Sequence, residues 1–573
     1  MLAGATALAA GVAAAIVLAP GELPVMQPLR GMADEGPAPA HLTSPPPAEE
    51  PMRVPAPSRK KKAGKPRLHA SIEAVGALVG GRPGIVGLRL RNDGKGPSEE
   101  LDAVVDLPPG VTPVQQPGTR PQPAAFQAGA GGRSGSVERA SLTHLASAQS
   151  SLAGGGASAQ SGLEPDGASV QSGDWRADSA GGVQAADSGR GVRGFAAGRG
   201  VAGVGVPLLE AVGDADGWVC RPVDAGARCG RAALQPGEST AVFLRVVVSA
   251  EAPRAAGPSV RVGSGSLRVS ARAQEGVRTD GSPARFATEG RVDVRAIGGS
   301  LLSCPAASAG CAEARRRGGI QRDNDLWPMT AFDGDKVRST RASSSAVLAL
   351  PAKGEIVWAG LYWSAAGTSG GSIMVRPPGR SKYVMVQPQQ VTGHQLASVP
   401  VYQAFADVTA MVSAARKSGT WWVADAPLVE GVGRYAGWSL VVVTTDPGLP
   451  YRRAMVLDAA TVVGGEDGPA RIPLDGLAPA ASPARIELVT WEGDADIKDD
   501  QVSAGGVALT PLGGDRDPAN VFDGSSNGAT EMTPGVDVDT LVAELGDDPA
   551  LTVTTDKDVV LVGVAAVSVQ ARS

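Results

Sequence analysis

Carboxylates are concentrated in two short segments of this chain. In the segment QRDNDLWPMTAFDGD they are Asp323, Asp325, Asp333 and Asp335. In the segment EGDADIKDDQ they are Asp494, Asp496, Asp499 and Asp500. Carboxylate oxygens are hard ligands that suit Ca²⁺, and like charges held together repel unless a cation compensates them. Neither segment has EF-hand spacing, and aspartate is also a common turn residue. The first segment therefore predicts either a calcium site at its four aspartates or a series of plain turns.

Other chemistry finds little support. Ser526 lies in a GSSNG sequence that matches a nucleophile elbow, but such an elbow needs a histidine downstream, and the last histidine is His394. A glycosidase needs two opposed carboxylates, and no pair stands out. The cysteines lack the spacing of a zinc site. The sequence therefore predicts a protein that is not an enzyme and that needs no cofactor other than calcium at the aspartates.

The four cysteines form two close pairs, Cys220 with Cys229 and Cys304 with Cys311. Two local loops are the simplest of the three possible connectivities. Disulfides persist outside the cytosol. Residues 2–19 are uncharged and apolar, which suits a signal peptide or an N-terminal anchor. The expected location is extracellular or at the cell surface.

Aromatic side chains make up only 4% of the chain, yet most of its tryptophans lie in the C-terminal half. In the run VWAGLYW, strand alternation places residues 358, 360 and 362 on one face and 357, 359, 361 and 363 on the other. Trp421 and Trp422 are adjacent, so on a strand they point to opposite faces. One of the two is a candidate to face a ligand, whereas core packing is the expected role of most of the others.

Alternating runs bounded by Pro, Gly and Asp turns predict an all-β protein. We expect a signal peptide or anchor at 1–20, a Pro-rich and basic linker at 21–67, and an Ig-like β-sandwich at 68–295. A Gly/Ala/Ser-rich stretch at about 118–206 interrupts that sandwich, and its composition predicts disorder. Residues 296–573 are expected to form a larger, jelly-roll-like β-sandwich.

Two resemblances support this division. The order LPPGV, GWVC and ALQPGESTAVFLRVVV is similar to the Ig-like repeat modules of bacterial surface proteins. The series DNDLWPM, VWAGLYW, GRYAGWSLVVV and WEGDADIKDDQV resembles an uncharacterised region of secreted and wall-associated proteins of high-GC Gram-positive bacteria. The resemblance implies an extracellular β-rich structure, and it implies no activity that can be assigned to particular residues.

The net charge of −5 is small for 573 residues, so it favours neither nucleic acid nor a membrane surface as a partner. Membrane contact is expected only through the N-terminal segment. Two functions remain open. One is a structural, adhesive or display role at the cell surface, with cell-wall polymers or surface proteins as partners. The alternative is a carbohydrate-binding module, calcium-assisted, that acts on cell-wall or extracellular glycans.

Overall fold

The computed structural model describes residues 64–116 and 208–571, except 255, 416 and 515. The predicted leader, most of the linker and the predicted insertion at 118–206 lie outside the described residues. In chain order the strands of the N-terminal part are β1 (Leu68–Val75), β2 (Leu78–Val79), β3 (Pro83–Asn92), β4 (Leu101–Asp106), β5 (Val111–Pro113), β6 (Val219–Val223), β7 (Gly226–Arg231), β8 (Ser239–Val248), β9 (Ser259–Ser264), β10 (Leu267–Arg272) and β11 (Val277–Arg278).

These strands build a two-sheet sandwich. One antiparallel sheet has the order β1-β3-β8-β5, and the other has the order β10-β9-β4-β7-β6. The two short strands β2 and β11 pair in parallel beside them. Both sheets contribute to one buried core, which contains Trp218 and the disulfide between Cys220 and Cys229. Trp218 donates its Nε1–H to the Thr240 hydroxyl over 2.9 Å, so its polar atom has a partner in the core.

The remaining strands follow in chain order. They are β12 (Ala284–Gly290), β13 (Val292–Ser300), β14 (Leu302–Ser303), β15 (Thr330–Ala331), β16 (Ser343–Leu348), β17 (Ile356–Ala366), β18 (Ile373–Arg376), β19 (Val384–Val386), β20 (Gln390–Leu396), β21 (Val399–Asp407), β22 (Gly419–Ala424), β23 (Ala436–Thr445), β24 (Arg452–Val463), β25 (Ala470–Pro473), β26 (Ala484–Trp491), β27 (Gln501–Ala504), β28 (Val507–Ala508), β29 (Val536–Ala543), β30 (Ala550–Thr554) and β31 (Val560–Gln570).

Three of the C-terminal sheets are stacked in layers. The central sheet has the order β13-β23-β17-β21-β20. One face of it packs on the first outer sheet, β12-β24-β31-β26-β29, and the other face packs on the second outer sheet, β16-β22-β18-β19. A fourth sheet, β25-β30-β27-β28, contributes to the same core as the first outer sheet. Because β12 and β13 hydrogen-bond to β24 and β23, the C-terminal sheets begin at Ala284 rather than at residue 296.

The VWAGLYW run forms the middle of the central sheet as β17. Trp358 and Tyr362 lie in the core shared with the first outer sheet, whereas Leu361 and Trp363 lie in the core shared with the second. The predicted alternation of faces is therefore correct. Both faces are buried, which explains why aromatic or aliphatic side chains occur on each of them.

Helices are minor in the described residues. They comprise α1 (Cys311–Ala314), α2 (Thr409–Ala415) and a 3₁₀ turn at Asn324–Leu326. Within these residues no helix is both long enough and apolar enough to cross a membrane. The cysteines pair as predicted, Cys220 with Cys229 and Cys304 with Cys311. The all-β class and both disulfides are thus confirmed.

We expect Trp363→Ala to lower the free energy of unfolding by about 3–5 kcal/mol, since the side chain is fully buried and its removal leaves a large cavity. The Gly371 carbonyl also loses the hydrogen bond that the Trp363 Nε1–H donates to it over 3.2 Å. Urea denaturation measures the change. Val391→Ala, at a position 45% exposed on the same sheet, is the control and should change stability by no more than about 0.5 kcal/mol. Equal effects at the two positions would contradict the layered packing.

Candidate metal centre

The two acidic segments meet in space. One carboxylate oxygen each from Asp325, Glu492 and Asp494 lies within 4.8 Å of the other two. Asn324 links the segments, because its backbone N–H donates to Asp494 Oδ1 over 3.3 Å and its side-chain amide donates to Glu492 Oε1 over 3.2 Å. These pairs are 170 and 168 residues apart in the chain. The fold therefore builds one acidic site from two distant loops.

A short 3₁₀ turn presents the first loop. Trp327 follows the turn directly, is only 7% exposed, and packs in the same core as the disulfide between Cys304 and Cys311. It donates its Nε1–H to the Gln321 carbonyl over 3.1 Å. On the other side, a Cβ added at Gly433 would lie 2.7 Å from Asp325 Oδ1. The indole anchors the loop, and the absence of a side chain at Gly433 leaves room for the Asp325 carboxylate.

The end of β26 presents the second loop. Trp491, the last residue of that strand, is fully buried and donates its Nε1–H to Gln403 Oε1 over 2.7 Å. The next residue, Glu492, has a φ of +74°, a left-handed conformation that is uncommon for a residue with a side chain and that occurs often at functional sites. Gly493 follows, and a Cβ there would lie 2.4 Å from Asp537 Oδ2. The backbone thus turns sharply out of the sheet, which places Glu492 and Asp494 beside Asp325.

Two more carboxylates border the same place. Asp323 is 7% exposed, and its Oδ1 accepts the backbone N–H of Asp496 over 2.6 Å. Asp558, in the turn before β31, is 5% exposed and interacts with Glu492 and Asp494. We call these five residues the acidic centre: Asp323, Asp325, Glu492, Asp494 and Asp558.

No described Lys or Arg forms an ion pair with a member of the acidic centre. The nearby Arg322 instead donates from Nε to Asp496 over 2.8 Å, and Lys557 pairs with Asp499 over 3.5 Å. A second group of buried aspartates is different. Arg516 pairs with Asp539 over 2.9 Å and with Asp523 over 3.1 Å, so a side-chain cation compensates that group. The acidic centre has no such internal counterion in the described part of the chain.

The proton affinities of these groups reflect their surroundings. Burial raises the pKa of Asp323 to about 6 and that of Asp558 to about 6. Burial, reinforced by the neighbouring carboxylates, raises the pKa of Glu492 and of Asp494 well above the usual range. Without a cation, the acidic centre is therefore costly to ionise at neutral pH.

Oδ1 of the fully buried Asn324 lacks a hydrogen-bond donor among the described residues, whereas Asp558 hydrogen-bonds to the Glu492 carboxyl. The acidic centre also borders a cleft of about 500 Å³, whose charged lining residues are Asp325, Glu492, Asp558, Arg434 and Lys557. Buried acceptors without a partner are costly, whereas oxygen ligands of a metal ion are not. The arrangement thus supplies acceptors, negative charge and access from solvent together.

The donor set selects the class of ion. All the ligand atoms are oxygens, and neither histidine nor cysteine belongs to the group, which disfavours zinc. Calcium takes six to eight oxygens at about 2.3–2.6 Å, so oxygens on opposite sides of the ion lie about 5 Å apart. The three carboxylate oxygens lie within 4.8 Å of one another, so they are close enough to contact one ion of this size. The residues present fit Ca²⁺.

The four aspartates singled out in the sequence do not form one site. Asp323 and Asp325 belong to the acidic centre, whereas Asp333 and Asp335 share the Ser343 hydroxyl as a donor, at 3.0 Å from each. Asp335 also pairs with Arg376 over 2.7 Å. Burial opposes ionisation of Asp335, but hydrogen bonds, that of Tyr383 first among them, outweigh it and lower the pKa. Because an arginine already compensates Asp335, we remove this second pair from the predicted calcium ligands.

The sequence pointed to only part of the acidic centre. Asp494 stood in the second acidic segment, but Glu492 had no distinguishing mark beyond its place just before Gly493 and Asp494. Asp558 carried no signal at all, since it lies in an isolated Lys-Asp turn between two strands. Its role depends on the pairing of β31 with β26, which is a long-range feature.

The two adjacent tryptophans separate as strand geometry requires. Trp421 is only 1% exposed and belongs to the core between the central and second outer sheets, so it does not face a ligand. Trp422 is half-buried on the other face, where the Arg376 guanidinium lies 5.0 Å from the centroid of its ring. Of the two candidate ligand-facing aromatics, only Trp422 reaches the surface.

We expect Gly433→Ala to weaken calcium binding about tenfold or more, because the new Cβ would displace the Asp325 carboxylate. Gly468→Ala is a matched control. Its φ of +66° is close to the +60° of Gly433, but a Cβ there meets nothing within 4 Å. Calcium titrations of the two variants separate backbone strain from ligand displacement. The same calcium affinity in both variants would argue against Asp325 as a ligand.

No family model matches the chain and no curated protein matches it significantly, so its function is argued from the site.

Proposed function

We propose that this chain is a non-enzymatic exported protein of the cell surface, whose C-terminal sheets bind calcium at the acidic centre and display a surface for adhesion. The observation that carries the proposal is the acidic centre itself, where five carboxylates from separate loops meet without an arginine or lysine partner in the described residues. A cation there would tie the Asp325 loop to the end of β26 and to the turn between β30 and β31.

Other features support export and display. Two disulfides suit an oxidising compartment, and each closes a short loop next to a buried tryptophan. The predicted apolar leader and Pro-rich linker would carry the folded part away from the membrane. Extracellular calcium modules work at ion concentrations that cytosolic proteins do not meet, so a weak site would be filled only after export.

Co-sedimentation of the full, oxidised chain with isolated Gram-positive cell walls tests the proposed role. We expect retention in calcium and a clear loss of retention in chelator, because the loops at the acidic centre loosen without the ion. Magnesium in place of calcium is the control, and it should restore retention poorly, since Mg²⁺ demands a tighter octahedral site. A protein that stays in the supernatant under all three conditions would contradict adhesion to the wall.

A further inference from the structure

A small pocket lies where the β16 edge of the second outer sheet meets the end of β13 and the loop at 529–533, away from the acidic centre. It has a volume of about 150 Å³ and is lined by residues that include Ser303, Arg315, Phe332, Ser345, Trp422 and Glu531. Pockets for drug-sized ligands occupy about 300–1,000 Å³. This pocket therefore has room for one small ring or for the end of a longer chain.

Strand register sets the aromatic wall of the pocket. Ser345 on β16 and Trp422 on β22 are directly opposite each other, so their side chains share one face of the sheet. The next pair, Ala346 and Trp421, faces the core instead. The Arg376 guanidinium covers the Trp422 ring but does not line the pocket. Trp422 is thus held in place from outside the pocket while it forms part of the wall.

The polar wall of the pocket is neutral overall. Arg315 donates from Nε to Glu531 over 2.8 Å and lies 4.4 Å from the centroid of the Phe332 ring. The Glu531 side chain stays 48% exposed, so it can still accept hydrogen bonds from a ligand. Ser345 adds a hydroxyl that both donates and accepts. Since the arginine and the carboxylate already compensate each other, the pocket favours neither an anion nor a cation.

We propose that this pocket binds a neutral pyranose sugar. Such a ring has one apolar face of C–H groups, which packs on an aromatic side chain, and a rim of hydroxyls that need both donors and acceptors. Trp422 supplies the aromatic surface, and Arg315, Glu531 and Ser345 supply the polar groups. The inference deepens the proposed surface-binding role and rests on it.

Calorimetric titration of the full, oxidised chain with cellohexaose, chitohexaose and mannohexaose tests the proposal. We expect at least one of the three to bind, and Trp422→Ala to weaken its binding at least about tenfold. Tyr451→Ala removes a 47% exposed aromatic elsewhere on the protein and should leave the affinity unchanged. Glu531→Gln should also weaken binding. Because the Glu531 side chain is exposed, this variant tests the pocket independently if Trp422→Ala fails to fold.

The outcomes separate the two proposals. Binding that fails in both pocket variants supports the sugar site. Absence of binding by all three oligosaccharides at millimolar concentration overturns it, as does unchanged affinity in the pocket variants. If the cell-wall retention described above survives in Trp422→Ala, the adhesive role stands while this pocket is excluded as its basis.

Discussion

Raising the pH from about 5 to about 8 in chelator is expected to lower the melting temperature by at least about 5 °C. Burial raises the pKa of Asp323 and of Asp558 to about 6, and burial with the nearby Asp558 raises the pKa of Asp500 to about 8. Each group binds its proton more tightly in the folded than in the unfolded state. The stability this provides is full below the unfolded pKa near 4, and it is lost as the pH rises through 6 to 8.

Calcium should reduce the part of this pH dependence that comes from the acidic centre. The part that comes from Asp500, Glu487 and Asp539, whose pKa values burial raises to about 8, about 7 and about 7, should remain. An ion at one hundred times its dissociation constant stabilises the folded state by about 2.7 kcal/mol. Calcium binds the ionised carboxylates, so at pH 8 it competes with fewer protons for them than at pH 5. Differential scanning calorimetry at both pH values, with calcium and with chelator, measures the four melting temperatures. His394, whose pKa burial lowers, acts in the opposite direction near pH 6, so the informative quantity is the calcium effect at each pH. A calcium effect of the same size at pH 5 and pH 8 would contradict the assignment.

The second large effect concerns a single carboxylate. Asp494→Asn is expected to raise the melting temperature in chelator at pH 8 by several degrees, because burial and the neighbouring carboxylates oppose ionisation of the carboxyl, whereas the amide stays neutral at every pH. It should at the same time weaken calcium binding about tenfold or more. The amide keeps an oxygen that can accept the Asn324 backbone N–H, so the loop contact survives. Thermal melting and calcium titration of the same variant give both numbers.

Asp539→Asn is the matched control for that experiment. Asp539 is also a buried aspartate, only 2% exposed, but it pairs with Arg516 over 2.9 Å. Its neutralisation leaves part of the arginine charge uncompensated and should destabilise the protein by about 3 kcal/mol. Calcium affinity should not change. Opposite signs at Asp494 and Asp539 would show that the acidic centre lacks an internal counterion, whereas destabilisation at both would show that it has one.

Local sequence patterns predicted much of the fold. Alternation in VWAGLYW assigns Trp358 and Trp363 to opposite faces correctly, and the short spacing of the cysteines predicts both disulfides. Local patterns did not predict how the sheets stack into layers. That both faces of β17 are buried depends on which sheets stack on it. The pairing of β12 with β24, which extends the C-terminal sheets back to Ala284, joins residues distant in the chain.

The candidate site was likewise predicted only in its local features. Clustered aspartates identified the two segments, because local charge density is visible in a sequence. The sequence does not show which of these carboxylates come together in space. Asp325 and Asp494 are close to each other only because the fold brings the 3₁₀ turn beside the end of β26. Asp335 has the same local appearance as Asp325, yet Arg376 from β18 compensates it. The position of a distant arginine decides which carboxylate remains available to a metal ion.

Calorimetric titration of Ca²⁺ into the full, oxidised and chelator-treated chain at neutral pH tests the central claim most directly. We predict saturable binding of one ion at the acidic centre, with an affinity that falls about tenfold or more in Asp494→Asn and is unchanged in Asp539→Asn. The absence of saturable binding up to about 10 mM Ca²⁺, beyond the range of extracellular calcium modules, would contradict the claim. Equal binding by the wild type and Asp494→Asn would contradict it as well.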